Sequence, residues 1–372
     1  VLNGGWLTYS GTTATLARSF TVSDGTANTI NTSAALANII TLTGSSTGGG
    51  SLTKAGTAVL LVQGSLNHTG GTKDSTGVIE LASNTGDALS NSGTFIFGGG
   101  TLKTRSGGAD ESAGDINLTN SSTLTFGSTA VSHSLNFANS VPNKFKDGKL
   151  ISITNWVKGT RNSDSSFNSG TAGKIFVGDN SDGLTPQQRG KIRFTINTNI
   201  AAAKYLTFPG VYSTGTTLKR FYSLSAEHLS TGELVPAVPR PIMDIQGTDG
   251  VDTICLNQTQ TFNYTISNIG DVDALNVNVT SDNPNFVIGT KTGSTTVTGI
   301  TTIIDGTTST PGSTITFPVV FTSGTVPGLK TLKLITSSTT ARTDNDTLEL
   351  QIYVTAPPTF SSSISGGACY TD

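Results

Sequence analysis

Short apolar pulses alternate with glycine, serine, threonine and asparagine corners through the first part of the chain, at Trp6–Tyr9, Phe20–Val22, Leu36–Leu42, Leu52, Val59–Val62, Val78–Leu81, Phe95–Phe97, Leu102, Ile116–Leu118 and Leu124–Phe126. Each pulse is too brief for a helix, and their spacing is too regular for disorder, so they predict short β-strands with turns between them. The block GGGSLTK at Gly48 returns, loosened, as GGGTLKT at Gly98. A chain that repeats in this way stacks its strands, because no single circuit can bury its own apolar face. The expected fold of residues 1–135 is therefore an all-β solenoid whose inward Leu, Ile, Val and Phe side chains form one dry column.

The stretch from Gly48 to Leu81 carries a more specific pattern. Gly50, Leu52, Lys54, Gly56, Leu60, Gly64, Asn67, Gly70, Gly71, Thr72, Gly77 and Leu81 resemble the repeat associated with autotransporter passengers, over about one full copy with degenerate neighbours. That resemblance implies a right-handed parallel β-helix exported beyond the cell membrane, and implies no ligand.

From residue 136 to 236 the charge density rises (Lys144, Lys146, Asp147, Lys149) and the pulses lengthen, which suits a region that caps the solenoid against edge-to-edge pairing. Thr185-Pro186-Gln187-Gln188 supplies a capping hydroxyl, a proline at the first helical position and a glutamine at N3, and Gly190 should end that helix early. The pieces ISITNW, GKIFVG, GLTPQQRGKIRF and STGELVP, in that order, resemble the tail that follows such repeats in large secreted bacterial proteins. PAVPRP, Pro236 to Pro241, reads as a stiff extended linker across residues 237–241.

The pattern changes again at Ile242. Longer alternating runs such as Thr261–Ile266, Thr314–Phe321, Lys330–Ile335 and Leu348–Val354 predict an immunoglobulin-like β-sandwich over residues 242–356. TFNYTISNIGDVDALNVNV resembles the hairpin of cell-surface Ig-like domains. Residues 357–372 echo the start of that sandwich, with Cys369 where Cys255 stood. They predict the beginning of a second copy, so the chain is expected to be part of a longer tandem array.

Composition narrows the function. With 12% charged residues and a net charge of −2 over 372 residues, no basic field is available for nucleic acid or an anionic membrane. No apolar run is long enough to span a bilayer, so membrane insertion is not expected. Two cysteines without CxxC spacing give neither a zinc site nor a disulfide framework.

Candidate chemistry is sparse. A β-helix polysaccharide-degrading enzyme needs clustered carboxylates. The adjacent pair Asp110 and Glu111 lies in the Gly/Ser-rich run SGGADESAGD and reads as a solvated loop, while His68, His133 and His228 are scattered and read as surface or turn residues. No catalytic residue and no cofactor is assigned. Asp179 and Asp182, in DNSDG, are candidate ligands for a structural calcium ion, as are the turns at Asp249, Asp252, Asp271 and Asp273. Trp6, Tyr9 and Trp156 are candidates for stacking on sugar rings, although aromatics at such spacings more often pack in a core or cap. The tripeptides Asp74-Ser75-Thr76, Asp252-Thr253-Ile254 and Asp346-Thr347-Leu348 resemble the O-glycosylation site of Bacteroidetes envelope and secreted proteins, which would place glycans on Ser75, Thr253 and Thr347.

Together these features predict a non-enzymatic, extracellular cell-surface adhesin: a rigid solenoid tip on a stalk of Ig-like domains, whose partners are an outside surface, a polysaccharide or further copies of itself. The alternatives are a structural subunit of a filament or surface layer, and the polysaccharide-degrading enzyme.

Overall fold

The computed structural model describes residues 1–32, 38–107, 109–157, 159–160, 167–198, 220–237, 240–247, 251–269, 273–297, 301–302, 309–310, 313–340 and 343–356. Cys369 and the rest of 357–372 lie outside them, as do Asp249 and Asp271. Among the described residues the protein is all β apart from one short helix.

The first part of the chain builds three stacks of parallel strands. One runs through Trp6–Tyr9, Ala27–Thr32, Ser51–Ala55, Thr72–Asp74, Phe95–Phe97 and Ile116–Leu118. A second runs through Ala14–Leu16, Ile39–Leu42, Val59–Val62, Val78–Leu81, Thr101–Lys103, Ser122–Thr125, Ile151–Thr154 and Ile192–Thr198, and ends in the antiparallel strands Arg220–His228 and Leu234–Pro236. The third links Phe20 to Ser46, then Leu66 and Leu89 through single bridges. Further along the chain, Glu111–Ala113, His133–Phe137 and Gly173–Val177 pair in parallel.

Register explains why strands as short as three or four residues suffice. In the second stack Ile40, Leu60, Ile79, Leu102, Leu124, Ile153 and Phe194 are successive partners, and all are buried. Side chains alternate across each strand, so an inward residue meets its counterpart one circuit away. Each buried Leu or Ile contributes about 1.5–3 kcal/mol of transfer free energy. The phenylalanine corner is tighter still: Phe95 and Phe97 lie edge to face at 5.0 Å and both approach Phe137.

The corners explain the glycines of the repeat. A Cβ on Gly64 would lie 2.1 Å from the carbonyl oxygen of Gly44, one circuit earlier. Gly77 has φ +75° and its Cβ would lie 2.4 Å from the carbonyl oxygen of Gly56. Both positions exclude any other residue without moving backbone.

A separate core lies beyond Ile242. Met243–Gln246, Thr259–Asn268, Thr314–Thr322 and Phe286–Ile288 form one four-stranded antiparallel sheet. Val251–Cys255, Thr347–Thr355, Gly328–Ser337 and Asn278–Ser281 form another, in which only the pair Val251–Cys255 with Thr347–Thr355 is parallel. Their inner faces meet through Tyr264, Phe317, Phe321, Leu332, Leu334 and Ile352.

The helix α1, Pro186–Gly190, forms where the local signals place it. Thr185 accepts from the Gln188 N–H, and the Gln188 side chain accepts from the Thr185 N–H, a complete capping box.

Candidate functional site

The residues singled out from sequence fall on different parts of the surface. Trp6 is 73% exposed, while Tyr9, three residues along the same strand, is half-buried and packs on the core. Residues three apart on a strand face opposite ways, so the two rings do not form one stacking platform. Trp156 is buried between Phe167 and Phe194, with ring centroids 5.7 and 5.5 Å away. Asp179 and Asp182 are exposed, and the loop closes as an Asx turn in which the Asp182 N–H donates to Asn180 Oδ1 at 2.8 Å. Among the described residues no three His, Cys, Asp or Glu side chains are grouped to hold a metal.

Of the three hydroxyl residues, Thr253 and Thr347 are exposed, on the paired strands Val251–Cys255 and Thr347–Thr355, and Ser75 is half-buried. The aspartates that precede them have structural work of their own. Asp74 is 1% exposed and its Oδ1 accepts from the Gly98 N–H at 2.9 Å. Asp346 accepts from the Ile245 N–H at 2.9 Å through one oxygen and from the Thr347 N–H at 2.8 Å through the other.

Several polar residues that read as solvent-facing are interior. Glu111 is not in a solvated loop: it is 5% exposed on Glu111–Ala113 and accepts from the Ala88 and Leu89 N–H groups at 3.1 and 2.8 Å. Only Asp110 stays exposed, accepting from the Ser134 N–H at 2.7 Å. None of the three histidines is a surface residue; His68, His133 and His228 are all buried. His68 bonds Ser46 Oγ at 2.7 Å through Nδ1, and its Nε2 lies 3.1 Å from both Gly71 O and Thr72 Oγ1. His133 bonds Thr104 Oγ1 at 2.7 Å and lies edge-on to Phe126. These bonds tie one circuit to the next.

Lys54 is the same device with a charge. Its ammonium is buried and donates to the carbonyls of Ala55, Gly56 and Thr76 at 3.0, 2.7 and 2.9 Å. All three N–H donors are used. Lys54 and Asp74 are register partners. Burial pulls the amine down to about 8, with Asp74 opposing, and pushes Asp74 up to about 7, opposed by the Gly98 N–H and the Lys54 charge. Burial likewise lifts Glu111 to about 7. Lys54 lies two residues after the buried Leu52 and Asp74 two after the buried Thr72, so period-two phase was the signal for both.

The third cluster joins the two cores. In the proline-punctuated run around residue 240, Pro236, Ala237, Arg240 and Pro241 are buried. Arg240 bonds Asp344 Oδ2 at 2.8 Å on the sandwich side and Glu227 Oε2 at 3.3 Å on the stacked side. Burial alone would lower this guanidinium, but Asp344 and then Glu227 hold it above its ordinary value. Gln187, on α1, donates to the carbonyls of Met243 and Asn345 at 3.3 and 3.4 Å. Arg193, buried in the last parallel strand, donates to the Ile269 carbonyl. Lys191 reaches Phe145 O at 3.0 Å, Asp147 at 2.6 Å and Asp244 at 3.9 Å. Burial raises Asp244, with the Lys191 charge opposing. A cleft of about 430 Å³ lies beside this joint, with Lys191, Asp244, Asp346 and Thr347 in its walls. The sequence carried no local signal for these pairs, because Arg240 and Asp344 are 104 positions apart.

No family model matches the chain. A stretch of 102 residues, 27% of this chain, is 35% identical to part of the adhesin BmaC autotransporter of Brucella suis biovar 1 (strain 1330), and covers 3% of that protein. Among solved structures, domains 4 and 5 of the S-layer protein SbsC align with 32% of this chain and 57% of theirs, at 19% identity and a TM-score of 0.18. The chain therefore spans a small fraction of the first protein's length and little more than half of the second's.

Proposed function

We propose that this chain is part of a non-enzymatic cell-surface adhesin in which a right-handed parallel β-helix (residues 1–135) with its cap (136–236) is carried on an Ig-like stalk. The stalk begins after residues 237–241 with the sandwich of 242–356 and continues into a further repeat from 357. The observation that carries this reading is the joint. Arg240 between Glu227 and Asp344, Arg193 on the Ile269 carbonyl and Gln187 on two sandwich carbonyls tie a stacked-strand region to a sandwich. Such a many-bonded connection suits a protein that projects a contact surface and transmits load. The resemblance over 102 residues to an autotransporter adhesin points the same way and supports an extracellular location.

The test is attachment. Beads coated with the native protein should hold to a glycan-bearing or cellular surface, and uncoated beads should not; coated beads that attach to nothing across a broad glycan array would overturn the reading. Intact mass and glycopeptide mapping of material from the native host should find hexose-rich additions on Thr253 and Thr347, the two exposed hydroxyl residues.

A filament or surface-layer subunit is the second reading. It is favoured by the register pair Leu329 and Tyr353, both about half exposed on the outer face of one sandwich sheet. Ordered polymers of the isolated protein in electron micrographs, with no surface attachment, would select it.

A further inference from the structure

The outer face of the second parallel stack carries a groove that the joint and the buried network do not use. It has a volume of about 600 Å³ and crosses successive circuits between Thr43 and Arg105. That volume is in the range of small-molecule sites. Its lining is polar and planar: the carboxamides of Gln63 and Asn84, the carboxylate of Glu80 and the guanidinium of Arg105, with the hydroxyls of Thr43 and Ser106 at its sides.

These groups are held by the fold. Glu80 and Lys103 are register partners, and Lys103 Nζ meets Glu80 Oε2 at 3.0 Å, so their charges cancel. Arg105 is half-buried, and one guanidinium N–H donates to the Ser83 carbonyl at 3.1 Å, which fixes its plane. Among the described residues no carboxylate lies within ion-pair distance of Arg105. The groove therefore presents one uncompensated cation among neutral donors and acceptors. Strands within a stack lie ~4.8 Å apart, a step comparable to that between sugars in an oligosaccharide, so the polar groups of successive circuits are offered at sugar-by-sugar intervals.

The geometry points to a carboxylated oligosaccharide as the ligand of this groove, with the sugar carboxylate on Arg105 and the ring hydroxyls on Gln63, Asn84 and the outer oxygen of Glu80. A guanidinium suits a planar carboxylate through two parallel N–H bonds, and a carboxylate with two amides suits the mixed donor and acceptor character of hydroxyls. A nucleic acid would require far more positive charge than one arginine. This assignment rests on the adhesin reading and names the chemistry of its contact surface.

The carboxylate can belong to a uronic or a sialic acid, and calorimetric titration of the native protein separates them with tetragalacturonate, 3′-sialyllactose and maltotetraose as probes. At least one acidic probe should saturate and bind ten times more tightly than the neutral maltotetraose, and whichever acidic probe is tighter names the sugar. Arg105→Gln should weaken that binding at least tenfold while lowering the thermal midpoint by at most a few degrees, since it removes one half-buried hydrogen bond, to the Ser83 carbonyl. Glu80→Gln should weaken it less, and 0.5 M salt should reduce it in the native protein. The inference is overturned by the absence of saturable acidic binding, by equal affinity for maltotetraose, or by an Arg105→Gln variant that binds as the native protein does. Coated beads separate this from the adhesin reading. Attachment that survives Arg105→Gln unchanged removes the groove and leaves adhesion standing, whereas arginine-dependent binding of the soluble probe without attachment does the reverse.

Discussion

The stacked strands and the sandwich solve the same burial problem with different parts. In the stacks each strand is short, each inward side chain meets one counterpart on either side, and polar residues are drawn inside to tie circuits together: Lys54, His68, Asp74, Glu111 and His133 are all buried there. In the sandwich, strands of nine or ten residues such as Thr314–Thr322 and Gly328–Ser337 form long antiparallel ladders, and the interior is almost wholly apolar. Of its buried polar residues, Asp244 and Asn268 lie at the joint, Asn268 accepting from the Ile242 N–H at 3.1 Å, while Ser323 and Thr336 bond nearby backbone groups. A narrow stack has backbone exposed at every corner and needs side chains to satisfy it. The sandwich closes most of its backbone bonds within its sheets and needs only neutral hydroxyls such as Ser323 and Thr336 inside, with no buried charge away from the joint among the described residues.

If the two regions are held by different means, they should fail separately. The largest effect is expected for Gly77→Val, which puts a branched side chain at φ +75° with its Cβ 2.4 Å from the Gly56 carbonyl oxygen. A loss of about 4 kcal/mol or more should remove the first of two calorimetric transitions and leave the sandwich transition in place. A single transition lost as a whole would show that the regions do not fold independently. Phe321→Ala is the mirror experiment. Phe321 stacks on Phe286 at 4.3 Å, and its truncation should cost about 3–5 kcal/mol, lowering the sandwich transition alone.

A smaller effect is expected at the joint. Arg240→Ala removes the contacts to Glu227 and Asp344, leaving a half-buried carboxylate without its cation. With Glu227 partly solvated, the cost should be roughly 1–3 kcal/mol. The informative readout is the gap between the two transitions, which should widen, and the maximum dimension by X-ray scattering, which should become broader in distribution. An unchanged gap would mean that the joint does not couple the regions.

The smallest and most specific effect is on pH dependence. The Asp74 carboxyl titrates near 7 in the folded protein, against 3.8 as its ordinary value, so the folded chain keeps a proton that the unfolded chain has released. Stability should therefore fall as pH rises from about 4 to about 7, and level off above it. Asp74→Asn cannot ionise. Its stability relative to the native protein should improve across that window, measured by urea denaturation at pH 4.5 and 7.5. Buried His228, held down to about 4 by burial and then by the Arg189 charge, contributes the opposite slope from about 4 to 6.5. The comparison of Asp74→Asn with the native protein cancels that contribution, and parallel profiles would refute the assignment of the proton to Asp74.

The features legible before any folding are those that depend on neighbours in the chain. The short pulses at Val59–Val62 and Val78–Leu81, the longer alternation at Thr314–Phe321, and the capping box and Pro186 of α1 follow from spacings of two to four residues, and the structure has strands and helix at those places, the long strand running one residue further to Thr322. The glycines at 64 and 77 belong with them, since a corner repeated at fixed spacing is visible as a motif. Period-two phase marks Lys54 and Asp74 as inward, but the interior places of Glu111 and Arg240 follow from the tertiary structure. Glu111 looked like part of a Gly/Ser-rich loop until the circuits were in register and it met the N–H groups of Ala88 and Leu89, more than twenty residues earlier. Arg240 lies in the proline-punctuated run, and its partner Asp344 is brought to it by the sandwich from 104 residues away. A buried charge is stable only beside partners that compensate it. Here those partners come from other circuits or from the other core, so no local pattern could announce them.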